Sequence, residues 1–428
     1  MNILISSYAA EPNAGSEYGV GWMVPTTMAK NYPEHSIYVL TRSRCKEKIQ
    51  KAEKELDLPN LHFLYYDIKK WMTYPNEMQS KWGEQINYIL WQIGCKAFIR
   101  KKHETIKFDI IHHLTFNQYR TPSPGFWLDI PFVMGPIGGA ECINPVFWQD
   151  LDKNTRQKEI IRQKGKDLKI FSWFNHRNNN KKIILCSCKD NLLKLKPYAG
   201  KSILKLMPAI AYDKKDFEAE DVQQKNDESS ASANKANCNK EFEMIYAGKA
   251  WDWKGLKIFL NAAKMAFADT EFNIPWKIKL IGIRFKEEQE RVQKWIKEFG
   301  LENNVILIPF VQRQELLKLM KTCSLSVYPA FRDSGSMSVL EASALGCPTI
   351  CFEAGGQDIF PDDILIKIPV DDTYDKTLMN FAEKIRWAYE HEEEAKEIGL
   401  RSQNWVSNNL TWNQKVNDFM EIYDEIVR

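Results

Sequence analysis

The chain has 428 residues, 44% of them hydrophobic and 12% aromatic, which is long for one core, sufficient for two, and excludes a largely disordered protein. The formal net charge of +3 is unevenly spread: residues 1–210 hold 31 Lys and Arg against 19 Asp and Glu, and the remainder is acidic. A basic, aromatic first half suits an anionic surface or substrate, or else marks a solvated basic helix, and with no recognisable nucleic-acid module beside it nucleic acid is not an expected partner.

The opening "MNILISSYA" is a short strand pattern without the basic start and long apolar core of a signal peptide. No eighteen apolar residues run together anywhere, so the expectation is a chain neither secreted nor membrane-spanning. The nine cysteines form no C-x-x-C pair, and Cys186-Ser187-Cys188 sits in an apolar strand-like run. Buried thiols in a reducing, cytoplasmic compartment are expected. Through the first half, "NILISSYA", "SIYVLTR", "LHFLYYD", "FDIIHHLT", "PFVMGPIGG" and "KIILCSCK" alternate with longer polar-patterned segments. That is the rhythm of parallel βαβ units. Residues 218–241 hold almost no bulky apolar side chain and predict an exposed polar insertion. The rhythm resumes with "FEMIYAGK", "WKIKLIGI", "NVILIPFV", "SLSVYPA" and "PTICFEA", which gives an α/β chain of two doubly wound domains, residues 1–210 and 211–410. The final stretch spaces Trp412, Val416, Phe419, Ile422, Tyr423 and Ile426 three to four apart. It predicts an amphipathic helix, 411–428, that completes the first domain.

Open parallel sheets bind ligands beyond the carboxyl ends of their strands. In "PAFRDSGSMSVLEASALGCP" a loop carrying Asp333, Ser334, Gly335 and Ser336 precedes a helix-like run beginning near Met337 and carrying Glu341. Unpaired N–H groups at such a helix start can hold phosphate or sugar oxygens, or the loop side chains can simply cap the helix. In "FEMIYAGKAWDWKGLKIFLNAAK", Gly248 directly follows a strand, and Lys249 and Lys254 flank the turn into a helix, where two ammonium groups can clamp a diphosphate. In "YAAEPNAGSEYGVGW", Gly15 can let the backbone approach a ligand, but the spacing of Gly15, Gly19 and Gly21 is not G-x-G-x-x-G, which disfavours a nicotinamide enzyme and an epimerase. Asp150-Leu151-Asp152 spells D-x-D, yet it leads into a polar basic run with no strand end to present it, and helix-start acids are the expected reading, with no metal site.

Together these segments resemble the family-4 glycosyltransferases, most strongly from Phe242 to Phe360. The resemblance implies the GT-B fold, two Rossmann-like domains facing across a cleft. It also implies a retaining transferase that moves a sugar from a nucleotide-sugar donor to a glycan or lipid-linked acceptor, without cofactor or metal, in the manner of cell-surface polysaccharide biosynthesis. Lys249, where the family more often has arginine, and Lys254 would hold the donor diphosphate. The family's E-x7-E motif falls on Asp333, facing the transferred sugar, and Glu341, facing the ribose. Aspartate replaces the first glutamate, and "DSGS" stands where E-G-F-G is common. Phe310 and Val311 match the region bordering the base, and "FEAGGQDIF" with Gly355 and Gly356 matches a following glycine turn. "FDIIHHLTF" resembles the segment whose histidine lies near the donor sugar. Either His112 or His113 fits, since adjacent strand residues face opposite ways, and His113 is preferred. "GPIGGAE", with Gly138, Gly139 and Glu141, is placed on the acceptor side by position, and His112 is grouped with it. A lipid-linked acceptor would put the protein at the inner membrane face, with "KKWMTYPNEMQSKWGEQINYILWQIGCKAFIRKK" as the amphipathic segment or as an ordinary domain helix. The rival reading is a non-catalytic nucleotide-sugar-binding subunit of a glycan assembly complex, suggested by the departures in the acidic motif.

Overall fold

Runs such as Ile3, Leu4 and Ile5 form strands with no polar alternation because both faces of a parallel sheet are covered, and all three side chains are fully buried. The computed structural model describes the chain except residues 74–80, 122, 166–167, 177–179, 216, 218–240 and 269–273. The predicted polar insertion, 218–241, therefore lies outside the described residues apart from Glu241. The described residues divide into two units. Unit 1 is Met1–Ala140, Lys164–Ala209 and Trp412–Arg428, and unit 2 is Glu141–Gln163 and Ile210–Thr411.

Unit 1 contains β1 (Asn2–Ser6), β2 (Ser36–Thr41), β3 (Leu61–Tyr65), β4 (Ile110–His113), β5 (Phe132–Ile137), β6 (Lys182–Cys186) and β7 (Ile203–Leu206). They form one parallel sheet in the order β3-β2-β1-β4-β5-β6-β7. The order reverses between β1 and β4, where Ile5 lies opposite His112. Helix Trp412–Val427 buries Val416, Phe419, Met420, Ile422, Tyr423 and Ile426 against a core that includes Ile3, Ile5, Val24 and Val133. Each such side chain contributes roughly 1.5–3 kcal/mol, so the amphipathic pattern read from the sequence is a docking face.

Unit 2 contains β8 (Phe242–Ala247), β9 (Trp276–Ile281), β10 (Val305–Ile308), β11 (Leu325–Tyr328), β12 (Thr349–Phe352) and β13 (Ile366–Ile368). These are parallel, in the order β10-β9-β8-β11-β12-β13. Its reversal point is β8 beside β11. Helix Leu256–Ala266 presents Leu256, Phe259, Leu260 and Ala263 to the core at i, i+3, i+4 and i+7. Two parallel sheets with helices match the expected fold class.

One segment differs from the expected division. Residues 141–163 pack with unit 2 rather than with the N-terminal sheet, because Phe147 stacks on Phe331 at 4.1 Å between ring centroids and also meets Phe352. Glu159, buried on helix Lys153–Gln163, pairs with Arg332 at 3.3 Å. Chain continuity had suggested the first domain, and aromatic packing decides otherwise. Among the described residues no helix is long and apolar enough to cross a membrane.

Candidate functional site

The carboxyl ends of β8 and β11 in unit 2 bring together the residues that the sequence placed eighty positions apart. After β8 the chain passes through a short turn, Asp252–Lys254, and enters helix Leu256–Ala266 at Gly255. Gly255 has φ +67°, and a Cβ there would collide with the Pro329 carbonyl just beyond β11, so only glycine lets the two loops touch. A bond from the Phe331 N–H to the Trp253 carbonyl, 2.9 Å, ties them.

Lys254 is thereby held over Asp333. Its ammonium pairs with Asp333 Oδ2 and donates to the Tyr328 hydroxyl at 3.2 Å. The Tyr328 hydroxyl in turn donates to the same Oδ2 at 2.5 Å, and the Gly335 N–H donates to Oδ1 at 3.1 Å. The Asp333 carbonyl accepts from the Gly356 N–H at 2.5 Å. Gly355 has φ +63°, and a Cβ on it would run into that carbonyl, which is what the glycine pair in "FEAGGQDIF" is for. Ser336, fully buried, donates its hydroxyl to Gln357 Oε1 at 3.0 Å. Helix Met337–Ala344 has no side-chain cap: the Ser336 hydroxyl and the Asp333 carbonyl fix the loop on the glycine turn, and the Asp333 carboxylate holds Lys254, Tyr328 and Gly335. Ser334 and Gly335 remain partly accessible, and Met337 is exposed.

At the strand ends of the same unit is a cavity of about 210 Å³ whose lining includes Gly248, Gly282, Arg284, Phe310, Val311 and Glu341. Glu341 accepts from Arg313 Nε at 3.2 Å, so each of the two spaced carboxylates holds its own cation. The Arg284 guanidinium lies 4.1 Å from the centre of the Phe310 ring at the cavity wall. The two lysines are not an equal pair: Lys249 is exposed, with its ammonium 4.3 Å from the centre of the Trp251 ring. Of the two lysines expected to clamp a diphosphate, one is held in an acid network and one lies on the surface. Tyr328, Arg284 and Arg313 escaped the sequence reading. Tyrosine in the last position of "SLSVY" and arginine after "LIGI" were the available signals, but charge pairing across elements leaves no spacing pattern.

The D-x-D acids are engaged within unit 2. Asp152 accepts from the Thr155 N–H at 2.8 Å and its hydroxyl at 2.8 Å, at the start of helix Lys153–Gln163. Asp150 accepts from the Tyr374 hydroxyl at 2.7 Å and pairs with Lys257 at 3.3 Å.

In unit 1 the two histidines part as strand geometry requires, and both are fully buried. His112 meets the Tyr423 hydroxyl through Nδ1 at 2.5 Å and the Gly135 carbonyl through Nε2 at 2.8 Å. A carbonyl only accepts, so Nε2 carries the proton and Nδ1 accepts. With both nitrogens committed inside the core, His112 has nothing left for an acceptor, which corrects its expected place in the site. His113 turns to the other face, where Nε2 lies 2.8 Å from the Tyr88 hydroxyl, and Nδ1 has no hydrogen-bond partner among the described residues. Burial drives the His112 pKa down to about 4 and that of His113 down to about 3.

Gly15 is exposed with φ −88°, and nothing lies within 4 Å of where a Cβ would be. Neither backbone nor packing demands glycine there. Gly138 donates its N–H to the Asn117 carbonyl at 3.3 Å, and Gly139, at φ +96°, accepts from Arg120 Nη2 at 3.0 Å. Glu141 is buried and is the first residue of unit 2, whereas Gly138 and Gly139 belong to unit 1. Glu17, in the first turn of helix Ser16–Asn31, went unnoticed; it accepts the Phe116 N–H at 3.0 Å, and burial raises its pKa.

The acid–lysine–tyrosine network and its cavity lie inside a recognisable stretch. Residues 227–405 match the family described as glycosyl transferases group 1. An uncharacterized glycosyltransferase of Methanocaldococcus jannaschii is 22% identical over 194 residues, covering 44% of this chain and 46% of that protein. The chain spans less than half the length of the curated relatives it matches. Among solved structures, sucrose-phosphate synthase from Thermosynechococcus elongatus aligns with a TM-score of 0.63 at 14% identity, over 100% of this chain and 99% of that one. Anabaena HepE, solved in complex with UDP-glucose, aligns with a TM-score of 0.56 at 13% identity, over 98% and 99%. At such identity the likeness speaks for the fold alone, the GT-B fold class, with two parallel sheets flanked by helices.

Proposed function

We propose that the protein is a retaining glycosyltransferase that transfers a sugar from a nucleotide-sugar donor to a hydroxyl of a glycan or lipid-linked acceptor, in cell-surface polysaccharide synthesis. The observation carrying this reading is the Lys254–Asp333 pair, with a cavity at the strand ends of the same unit, inside the family match. Lys254, assisted by the N–H groups at the start of helix Met337–Ala344, takes the charge of the departing diphosphate, and charge-assisted bonds of this kind are worth roughly 1.5–3 kcal/mol each. Lys249 is close enough in the chain to join it from the surface. Asp333 and the backbone of Gly335 and Met337 fix the transferred sugar, Glu341 takes the ribose hydroxyls, and Phe310 and Val311 border the base. A uridine donor is the first to try, since HepE was solved with UDP-glucose. In unit 1, His113, whose Nδ1 has no hydrogen-bond partner among the described residues, is assigned to the donor sugar, Gly15 to the donor, and Gly138 and Gly139 to the acceptor side.

Helix Lys81–Ile106 supports a lipid-linked acceptor. Its buried stripe is Tyr88, Trp91, Cys95 and Ile99, whereas Ile86, Ile89 and Ile93 form a second, exposed apolar stripe with Lys96 and Arg100 on the following turns. An apolar face with flanking cations suits the anionic inner surface of a membrane.

The test is a panel of nucleotide sugars screened by thermal stabilisation, followed by donor consumption with glycan and lipid-linked acceptors. Release of nucleoside diphosphate with a new glycosidic bond of retained configuration is expected, and it is expected to survive dialysis against a chelator. Stabilisation without turnover on any acceptor would favour the non-catalytic binding subunit, and restoration of chelator-treated enzyme only by manganese would overturn the metal-free reading.

A further inference from the structure

We infer that Tyr328 is a positioning residue whose hydroxyl keeps Asp333 aimed at the transferred sugar when the donor diphosphate draws Lys254 away. The inference rests on the function proposed above and assigns a role to a side chain that neither motif includes.

Among the described residues three groups hold the Asp333 carboxylate: Lys254, the Tyr328 hydroxyl at 2.5 Å and the Gly335 N–H at 3.1 Å. Lys254 cannot serve both Asp333 and an incoming diphosphate with equal strength, because the more highly charged phosphate competes for the same ammonium. When Lys254 turns, two anchors remain. Gly335 holds Oδ1, and among the described residues Tyr328 alone then holds Oδ2. Tyr328 suits this task because it ends β11, the strand beside the reversal point of the sheet, and its ring is locked in a core with Ile210, Leu317, Val339 and Leu340. Burial and the neighbouring Asp333 raise its pKa well above the phenol range, so the hydroxyl stays protonated and stays a donor. The same oxygen accepts from Lys254 at 3.2 Å, so it marks the position to which the ammonium returns when product leaves. An aspartate needs such a rigid anchor, since its side chain is short and cannot reach after a displaced substrate.

Tyr328→Phe keeps the ring and removes only the hydroxyl. The full-length variant is compared with wild type, Asp333→Asn and the double variant, using UDP-glucose, or whichever nucleotide sugar the panel selects, and the matching nucleoside diphosphate as a sugar-free probe. The expected result is a kcat at least tenfold lower, nucleoside diphosphate affinity within twofold of wild type, and a double variant no slower than Asp333→Asn alone. A purely structural role would instead lower affinity and turnover together and would add to the Asp333 defect. Parallel losses, additive losses, or a Tyr328→Phe enzyme with wild-type kcat would each overturn the inference. Tyr328→Met, a second hydroxyl-free side chain, must show the same pattern and decides the matter should the phenylalanine chain not fold. A wild-type chain that consumes no donor at all overturns the proposed function and this inference together, whereas an active wild type with an unimpaired variant overturns only the role of Tyr328.

Discussion

His112 and His113 are kept neutral by burial, and acid makes that costly. Their pKa values fall from 6.5 to about 4 and about 3, so between pH 6.5 and 4 the unfolded chain binds two protons that the folded chain does not. Stability is therefore complete above pH 6.5 and is lost as pH falls towards 4 and then 3, with a limiting slope of about 2.7 kcal/mol per pH unit for the two together. Urea unfolding midpoints followed from pH 7 to 4 should show this, and His113→Gln should remove about one proton from the dependence; an unaltered pH dependence in that variant would contradict the burial account. A different residue separates binding from chemistry. Glu341→Gln is expected to raise the donor KM about tenfold with kcat within threefold, because a ribose contact is the same in ground and transition states; steady-state kinetics with unchanged KM would remove Glu341 from the donor site. At this scale the sequence was half legible. Asp333, Lys254 and Glu341 stand in a recognisable spacing, but Arg313 and Tyr328, which hold them, belong to other elements. Choosing between His112 and His113 required knowing which face of β4 the C-terminal helix covers.

Among elements, the turn carrying Gly355 and Gly356 supports the acid loop directly. Gly355→Ala places a Cβ against the Asp333 carbonyl at a positive φ, where strain of about 1–3 kcal/mol is the usual cost. The loop is the softer partner. The variant is thus expected to lose more than tenfold in turnover while its circular dichroism matches wild type, and wild-type turnover would show that the loop does not depend on the turn. The strands were legible because parallel strands buried on both faces read as uninterrupted apolar runs, and the C-terminal helix because its buried positions recur at helical spacing. The contact from Gly356 to Asp333 was not legible, since two glycines announce a turn but not what lies against it.

For the whole chain, the parallel strands of both sheets follow from the alternation of runs, whereas their order and the allegiance of residues 141–163 do not. The stack of Phe147 on Phe331 joins positions far apart in sequence, and composition carries no record of such a pairing. The surplus of 12 positive charges in residues 1–210 belongs to this scale too. Together with the exposed isoleucines of helix Lys81–Ile106 it predicts sedimentation with anionic vesicles that weakens as salt rises from 0.05 to about 0.5 M; salt-insensitive or absent binding would refute the membrane reading. The central claim is that Lys254 receives a donor diphosphate at the strand ends of unit 2. Calorimetric titration of wild type and Lys254→Ala with UDP and the other common nucleoside diphosphates tests it most directly. The account predicts binding by wild type that is weakened roughly 10- to 150-fold in the variant, as the loss of one charge-assisted bond implies, with Tm little changed; equal affinity in the two proteins would contradict it.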